Sequence, residues 1–229
     1  MSAPVDRPLR LGELLAETVR IYGERVWAAL GLGALYAGSL LGSALLHVVL
    51  YFAVASVMVA ATYGAAARLV LGDTLREAWA QVAVRLPVVL VLALVVGLPF
   101  VLASSYLLLA IAAAFWIAFT GFSIPVALVE RPDVRSGWVA SISYALERTI
   151  ALARVEYLHA VGVAAALLVS NLLVGNILQA ALQGFADNTA LAAALLTQVM
   201  LAPFFFLGLS VLYFEQRSRA ALSSRRQPA

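Results

Sequence analysis

Two histidines, 12 carboxylates and 15 arginines are the side chains of this 229-residue chain that could run acid, base or anion chemistry. Their spacing leaves little for them to run. There is no cysteine, which excludes disulfides, thiolate metal sites and cysteine nucleophiles and leaves the redox compartment unread. His47 and His159 fall on opposite faces of the topology drawn below, separated by a hydrocarbon layer of about 30 Å, so they cannot share one metal or haem. Both read as interfacial polar residues without a ligand. Serines and threonines are plentiful, but an intramembrane serine hydrolase needs a base within hydrogen-bond reach. Gly121-Phe122-Ser123-Ile124 lacks the rest of a nucleophile elbow, and no Walker, Rossmann or zinc-ligand spacing is present. No catalytic, cofactor-binding or metal-binding residue is assigned, no cofactor is expected, and the chain reads as a non-enzyme.

Two other groups of side chains are candidates for contact rather than catalysis. Asn171, Asn176, Gln179 and Gln183, beside Ser170, make one long apolar stretch unusually polar, and the last three share a helical face. They serve either as interhelical hydrogen bonds, worth about 0.6 kcal/mol each, or as the lining of a polar cavity open to the outside. Arg20, Arg76, Arg85, Arg135, Arg148 and Arg154 are candidates for docking a partner or holding lipid head groups.

The elements that position these groups follow from where charge is absent. The segments 26–67, 86–129 and 157–214 contain one ionised side chain, Asp187. With 64% hydrophobic residues, 12% charged and a mean hydropathy of +0.98, the chain is far below the roughly 25% charge of soluble domains. A span takes about 20 apolar residues, so each segment predicts a helical hairpin. The expected fold is an all-α integral membrane protein of six transmembrane helices, near 27–46, 49–68, 87–103, 106–127, 157–178 and 190–213. A β-barrel is excluded because Val88 to Val96 runs V-V-L-V-L-A-L-V-V without the alternation that barrel strands need. About 25 mixed-charge residues precede the first span, unlike a cleaved signal peptide. Three hairpins put every arginine on one face, which the positive-inside bias makes cytoplasmic, with both termini. The chain is one transmembrane domain: an amphipathic N-terminus (1–25), the bundle (26–214) and a basic tail (215–229). The outer connections are expected around Gly42–Val48, Gly97–Ser105 with Pro99, and Gly184–Thr189. The net charge of +3 sits beside nearly equal acid, which argues for lipid head groups rather than nucleic acid.

Each hairpin is preceded by an amphipathic stretch, beginning near Leu9, Thr74 and Ser136. In the first, Leu11, Leu14, Leu15, Thr18 and Tyr22 share a face, and Arg20 is spaced to pair with Glu24. In the second, Thr74-Leu75-Arg76-Glu77 has capping-box form, and Leu75, Ala78, Trp79, Val82 and Leu86 make the apolar stripe. In the third, Asp133 caps and Trp138, Ile142, Leu146, Thr149 and Leu152 form the stripe. Trp79 and Trp138 are expected at head-group depth. Gly38 with Gly42, and Ala60 with Gly64, are small-xxx-small spacings that predict close packing. Pro87 suits a first helical turn, while Pro125 and Pro203 predict kinks. No ionisable group falls near a span centre, which disfavours an ion-coupled transporter.

The opening Pro8-Leu9-Arg10-Leu11-Gly12-Glu13-Leu14-Leu15 with Val19-Arg20-Ile21-Tyr22, the segment Glu130–Arg154, and the ending Tyr213-Phe214-Glu215-Gln216-Arg217 resemble a bacterial family of six-span proteins. That family is the glycerophosphoryl diester phosphodiesterase membrane domain and its stand-alone relatives. The resemblance implies a bacterial inner-membrane module without the soluble catalytic domain, and it supplies no binding residues. The expected function is a non-catalytic scaffold or accessory subunit in the lipid bilayer, whose mixed-charge cytoplasmic face contacts a protein partner or anionic lipid. The alternative is a transport component, a permease-like subunit or passive conduit with a polar path along the fifth span.

Overall fold

A computed structural model describes residues 7–44, 47–104, 109–130, 137–183 and 190–226, and every regular element among them is helical. The order repeats three times. The first unit is α1 (Leu11–Glu24), α2 (Val26–Ala44) and α3 (Val48–Leu71). The second is α4 (Leu75–Val84), α5 (Leu86–Leu92), α6 (Leu98–Ser104), α7 (Ala110–Thr120) and α8 (Ser123–Pro125), with π-helical turns at Ala93–Gly97 and Val126–Glu130. The third is α9 (Gly137–Ala153), α10 (Tyr157–Gln183) and α11 (Ala190–Arg226).

Four helical stretches among the described residues are long and apolar enough to cross a membrane: Val48–Leu71, Ile111–Glu130, Tyr157–Leu178 and Leu191–Ser223. A fifth candidate arises if Leu75–Val84 and Leu86–Leu102, which meet at 82°, count as one broken span; Val26–Gly42 is apolar but shorter.

Local chemistry sets the boundaries. α3 ends at Gly72, whose φ of 109° lies in the left-handed region where a side chain is strained. Two residues later Thr74 accepts from the Glu77 amide at 3.3 Å while Glu77 accepts from the Thr74 amide at 2.8 Å, the reciprocal box expected from the sequence. These bonds hold the Glu77 carboxyl below its ordinary range, the backbone bond contributing most. Arg20 bridges Glu17 and Glu24 on α1, so the predicted Arg20–Glu24 pair forms. Pro87 lies in the first turn of α5. The expected connection at Gly97–Ser105 is corrected: Leu98–Ser104 is helical. Pro99 follows one π turn and Pro125 precedes the other, so the backbone accommodates each proline by local rewinding rather than by ending the span. Asp133, Ser136 and Gly184–Thr189 lie outside the described residues.

The amphipathic helices pack on the hairpin before them. α4 lies on α3, α9 lies on α7, α8 and the following π turn, and α1 closes the ring on α11. The hairpins touch in the same cyclic order, α3 against the Ala93–Gly97 turn, α7 against α10, and α11 against α2. The buried stripes are narrower than periodicity predicts. α1 buries Leu14, Thr18 and Ile21 while Leu11 is 41% exposed, and α9 buries Ser141, Ala145, Thr149 and Leu152 while Trp138 is 57% exposed. On α9 small residues make most of the contact line and let its backbone approach closely, whereas on α1 Leu14 and Ile21 flank Thr18.

The same close approach decides which glycines matter. A Cβ on Gly33 would collide with the Val199 carbonyl of α11, and one on Gly97 with the Ser56 carbonyl of α3. Gly38 and Gly42 have nothing within 4 Å of that position, so the first small-xxx-small spacing is not a packing seam. The second is one: Ala60 is fully buried and Gly64 meets Leu128. Gly33→Val is therefore expected to cost at least the 1–3 kcal/mol of an overpacked core, because backbone rather than a side chain must yield. Gly38→Val is expected to leave stability within about 0.5 kcal/mol. Thermal unfolding in detergent checks the pair, and equal losses would refute the packing assignment.

Candidate functional site

The end of the bundle nearest α1, α4 and α9 is held by charged side chains turned inward. Arg25 and Arg85 follow α1 and α4 directly and turn inward, whereas Arg154, which follows α9, is exposed. Arg25 donates to the Asp73 carbonyl at 2.8 Å, and Arg85 donates to the Ala127 carbonyl; each ties the start of a hairpin to its return. Arg68 bonds the Asp73 carboxylate at 2.7 Å.

Two carboxylates are almost removed from solvent. Glu130, 7% exposed, ends the second hairpin. It accepts from the Tyr213 hydroxyl at 2.9 Å, the Tyr144 hydroxyl at 3.0 Å and Arg148 at 3.2 Å, with Arg217 at 3.8 Å. Burial, then the bond to Glu130, pushes the Tyr144 hydroxyl above its ordinary value, so it remains a donor at neutral pH. Glu215, fully buried on α11, accepts from the Leu9 amide at 3.4 Å and pairs with Arg219 one turn later. Arg219 also donates to the Leu9 carbonyl at 3.0 Å and pairs with Glu156. Both backbone polar groups of Leu9 are thus held by one ion pair, and this fixes the start of α1 to α11. The second Glu215 oxygen faces His159 Nε2 at 3.8 Å, and neither atom has a hydrogen bond; both amide atoms of the neighbouring, fully buried Gln216 lack one as well.

At the other end, where the hairpins turn, helices of all three units enclose a half-open cavity of about 230 Å³. Its rim carries Tyr36, Tyr51, Asn171 and Gln198, all half-buried. Its floor is aromatic and buried, with Phe100 stacked on Phe205 at 5.7 Å and Phe205 edge-on to Phe206 at 5.4 Å. Tyr63 stacks on Phe206 beneath and donates to the Leu209 carbonyl at 3.2 Å, so the floor is closed.

The structure divides the sequence candidates. Asn171 lines the cavity, but Asn176 is exposed and donates to the Leu172 carbonyl of its own helix at 2.7 Å. The side chains of Gln179 and Gln183 lie outside the described residues. Among the arginines, Arg20, Arg85 and Arg148 bond within the chain, Arg76 and Arg154 are exposed, and Arg135 lies outside the described residues. His47 accepts from the Val49 amide at 3.2 Å as the N-cap of α3. Missed by sequence reasoning were Glu130, Glu215 and Gln216, which read as boundary and tail residues, and the rim partners Tyr36, Tyr51 and Gln198. The available signal was that Glu215-Gln216 directly continues an apolar run, where a helix carries its side chains on past the span.

Among the described residues no group of three or more His, Asp or Glu side chains is arranged to hold a metal ion. No protein-family model, curated protein or solved structure matches this chain. What the two ends can do is therefore read from their own chemistry. The charged end braces helices through a few strong bonds. The turn end offers neutral donors and acceptors above an aromatic surface.

Proposed function

We propose that the chain is a non-catalytic, multi-pass inner-membrane scaffold or accessory subunit, a relative of the phosphodiesterase membrane domain that it resembles. It crosses the membrane six times, with both termini in the cytoplasm and α1, α4 and α9 at the cytoplasmic interface. The observation that carries this reading is the bracing of those helices from their inner sides by Glu130, Arg85 and the Glu215–Arg219 pair. Their outer faces then form a fixed, mixed-charge surface. Arg20 between two carboxylates is suited to a protein surface more than to anionic lipid, which draws on excess basic charge. The 82° turn between α4 and the next apolar helix supports an interfacial setting.

The test is purification of the full chain in mild detergent with mass spectrometry of what accompanies it. A stoichiometric protein that is lost on Arg20→Gln, Arg76→Glu and Arg154→Glu together, with the chain still folded, is the expected result. A folded triple variant with the same companions, or a wild-type chain with none, would sink the proposal.

A transport component is the second reading, favoured by the cavity with Asn171 on its rim. A path through the bundle would require the Phe205–Phe206 floor to part.

A further inference from the structure

We propose that the cavity at the turn end is a binding site for a small neutral amphiphile, whose ring or chain rests on Phe100, Phe205 and Phe206 while a hydroxyl, carbonyl or amide engages the rim. This holds for a scaffold and for a transport component alike.

Three observations define the class of ligand. The Asn171 and Gln198 side chains line the cavity and have no hydrogen-bond partner among the described residues. Amides in an apolar bundle without partners are costly, so a purely apolar guest would leave them unsatisfied. Among the described residues no arginine, aspartate or glutamate lines the cavity, and a charged guest would therefore be desolvated without a counter-charge from them. Neutral and polar at one end is what remains. The floor supplies the other end, because stacked and edge-on phenylalanines present flat apolar area. A volume of about 230 Å³ is below the roughly 300–1,000 Å³ of pockets that engulf drug-sized ligands, so the site takes a small molecule or one end of a lipid.

The rim is also drawn from separate units: Tyr36 and Tyr51 from the first, Asn171 and Gln198 from the third, with Phe100 of the second below. A guest held there would join all three hairpins, and its binding should raise the unfolding temperature.

The experiment uses the purified full chain in detergent with three probes that share a hexyl chain: 4-hexylphenol, hexylbenzene and 4-hexylbenzoate. Saturable stabilisation by 4-hexylphenol alone is expected. The double variant Asn171→Leu with Gln198→Leu should weaken the apparent affinity about tenfold, as loss of about 1.4 kcal/mol of hydrogen bonding implies. Ala202→Phe, from a buried lining position, should abolish the response by filling the space; if it fails to fold, the double variant still decides. Equal stabilisation by hexylbenzene or 4-hexylbenzoate, or a folded double variant that binds like the wild type, overturns the proposal. Mass spectrometry of lipid extracts separates the sources. A neutral lipid retained by the wild type and lost from the double variant places the ligand in the membrane. Intact 4-hexylphenol binding without such a lipid places it in water, and an anionic lipid retained in the same way would overturn the neutral assignment.

Discussion

Glu130→Ala lowers the stability of the bundle by about 3–5 kcal/mol, the range for removing one partner of a buried charge network. The carboxylate is the common acceptor for Tyr213, Tyr144 and Arg148, with Arg217 alongside. Without it the fully buried Tyr213 hydroxyl loses its acceptor, and Arg148 and Arg217 lose the carboxylate they share. The pair of oxygens also joins α9 and α11 to the end of the second hairpin, so the loss should reach the second and third units at once. Glu130→Gln keeps the shape and part of the hydrogen bonding, and is expected to cost less, about 1–3 kcal/mol. Thermal unfolding followed by size exclusion in detergent measures both. An alanine variant within about 1 kcal/mol of the wild type would show that these bonds exchange freely with water and do not brace the bundle.

Glu215→Ala should release α1 from α11 while the spans remain assembled. Glu215 and Arg219 hold the amide and carbonyl of Leu9, and Leu9 itself is only 6% exposed. Removing the carboxylate leaves Arg219 paired with the more exposed Glu156 and leaves the Leu9 amide without its acceptor. The chain has no cysteine, so a single Thr18→Cys on the fully buried face of α1 reports opening against a silent background. Maleimide labelling is expected to accelerate at least about 100-fold on Glu215→Ala, the factor that a loss of about 3 kcal/mol gives. Unchanged labelling would mean that α1 is held by its apolar stripe alone.

Much of the element order was legible because its causes are local. Alternation of long apolar runs with charged clusters located the paired apolar helices and the amphipathic helix before each. Thr74 and Glu77, or Arg20 and Glu24, meet because they are three and four residues apart on one helix, and nothing distant is needed to bring them together. The six-span count rests on the same pattern, whereas by length and composition four or five of the described helices qualify.

Which side of each helix faces which neighbour was decided only by the tertiary structure. Gly38 and Gly33 are equivalent in a sequence of small residues, yet only Gly33 lies against the Val199 carbonyl, because α11 crosses α2 at that level. Asn171 was marked by its polarity, but its companions Tyr36, Tyr51 and Gln198 come from helices more than a hundred residues away or from the next helix along. Glu215 looked like the first residue of a solvated tail. It is buried because α11 runs on to Arg226 and α1 folds back over it, a contact between residues 206 positions apart. By itself the sequence determined the helices and their order, since hydropathy and capping act over a few turns. Burial of a particular charge or opening of a cavity depends on several helices arriving together, and that was settled only when the ring of three units closed.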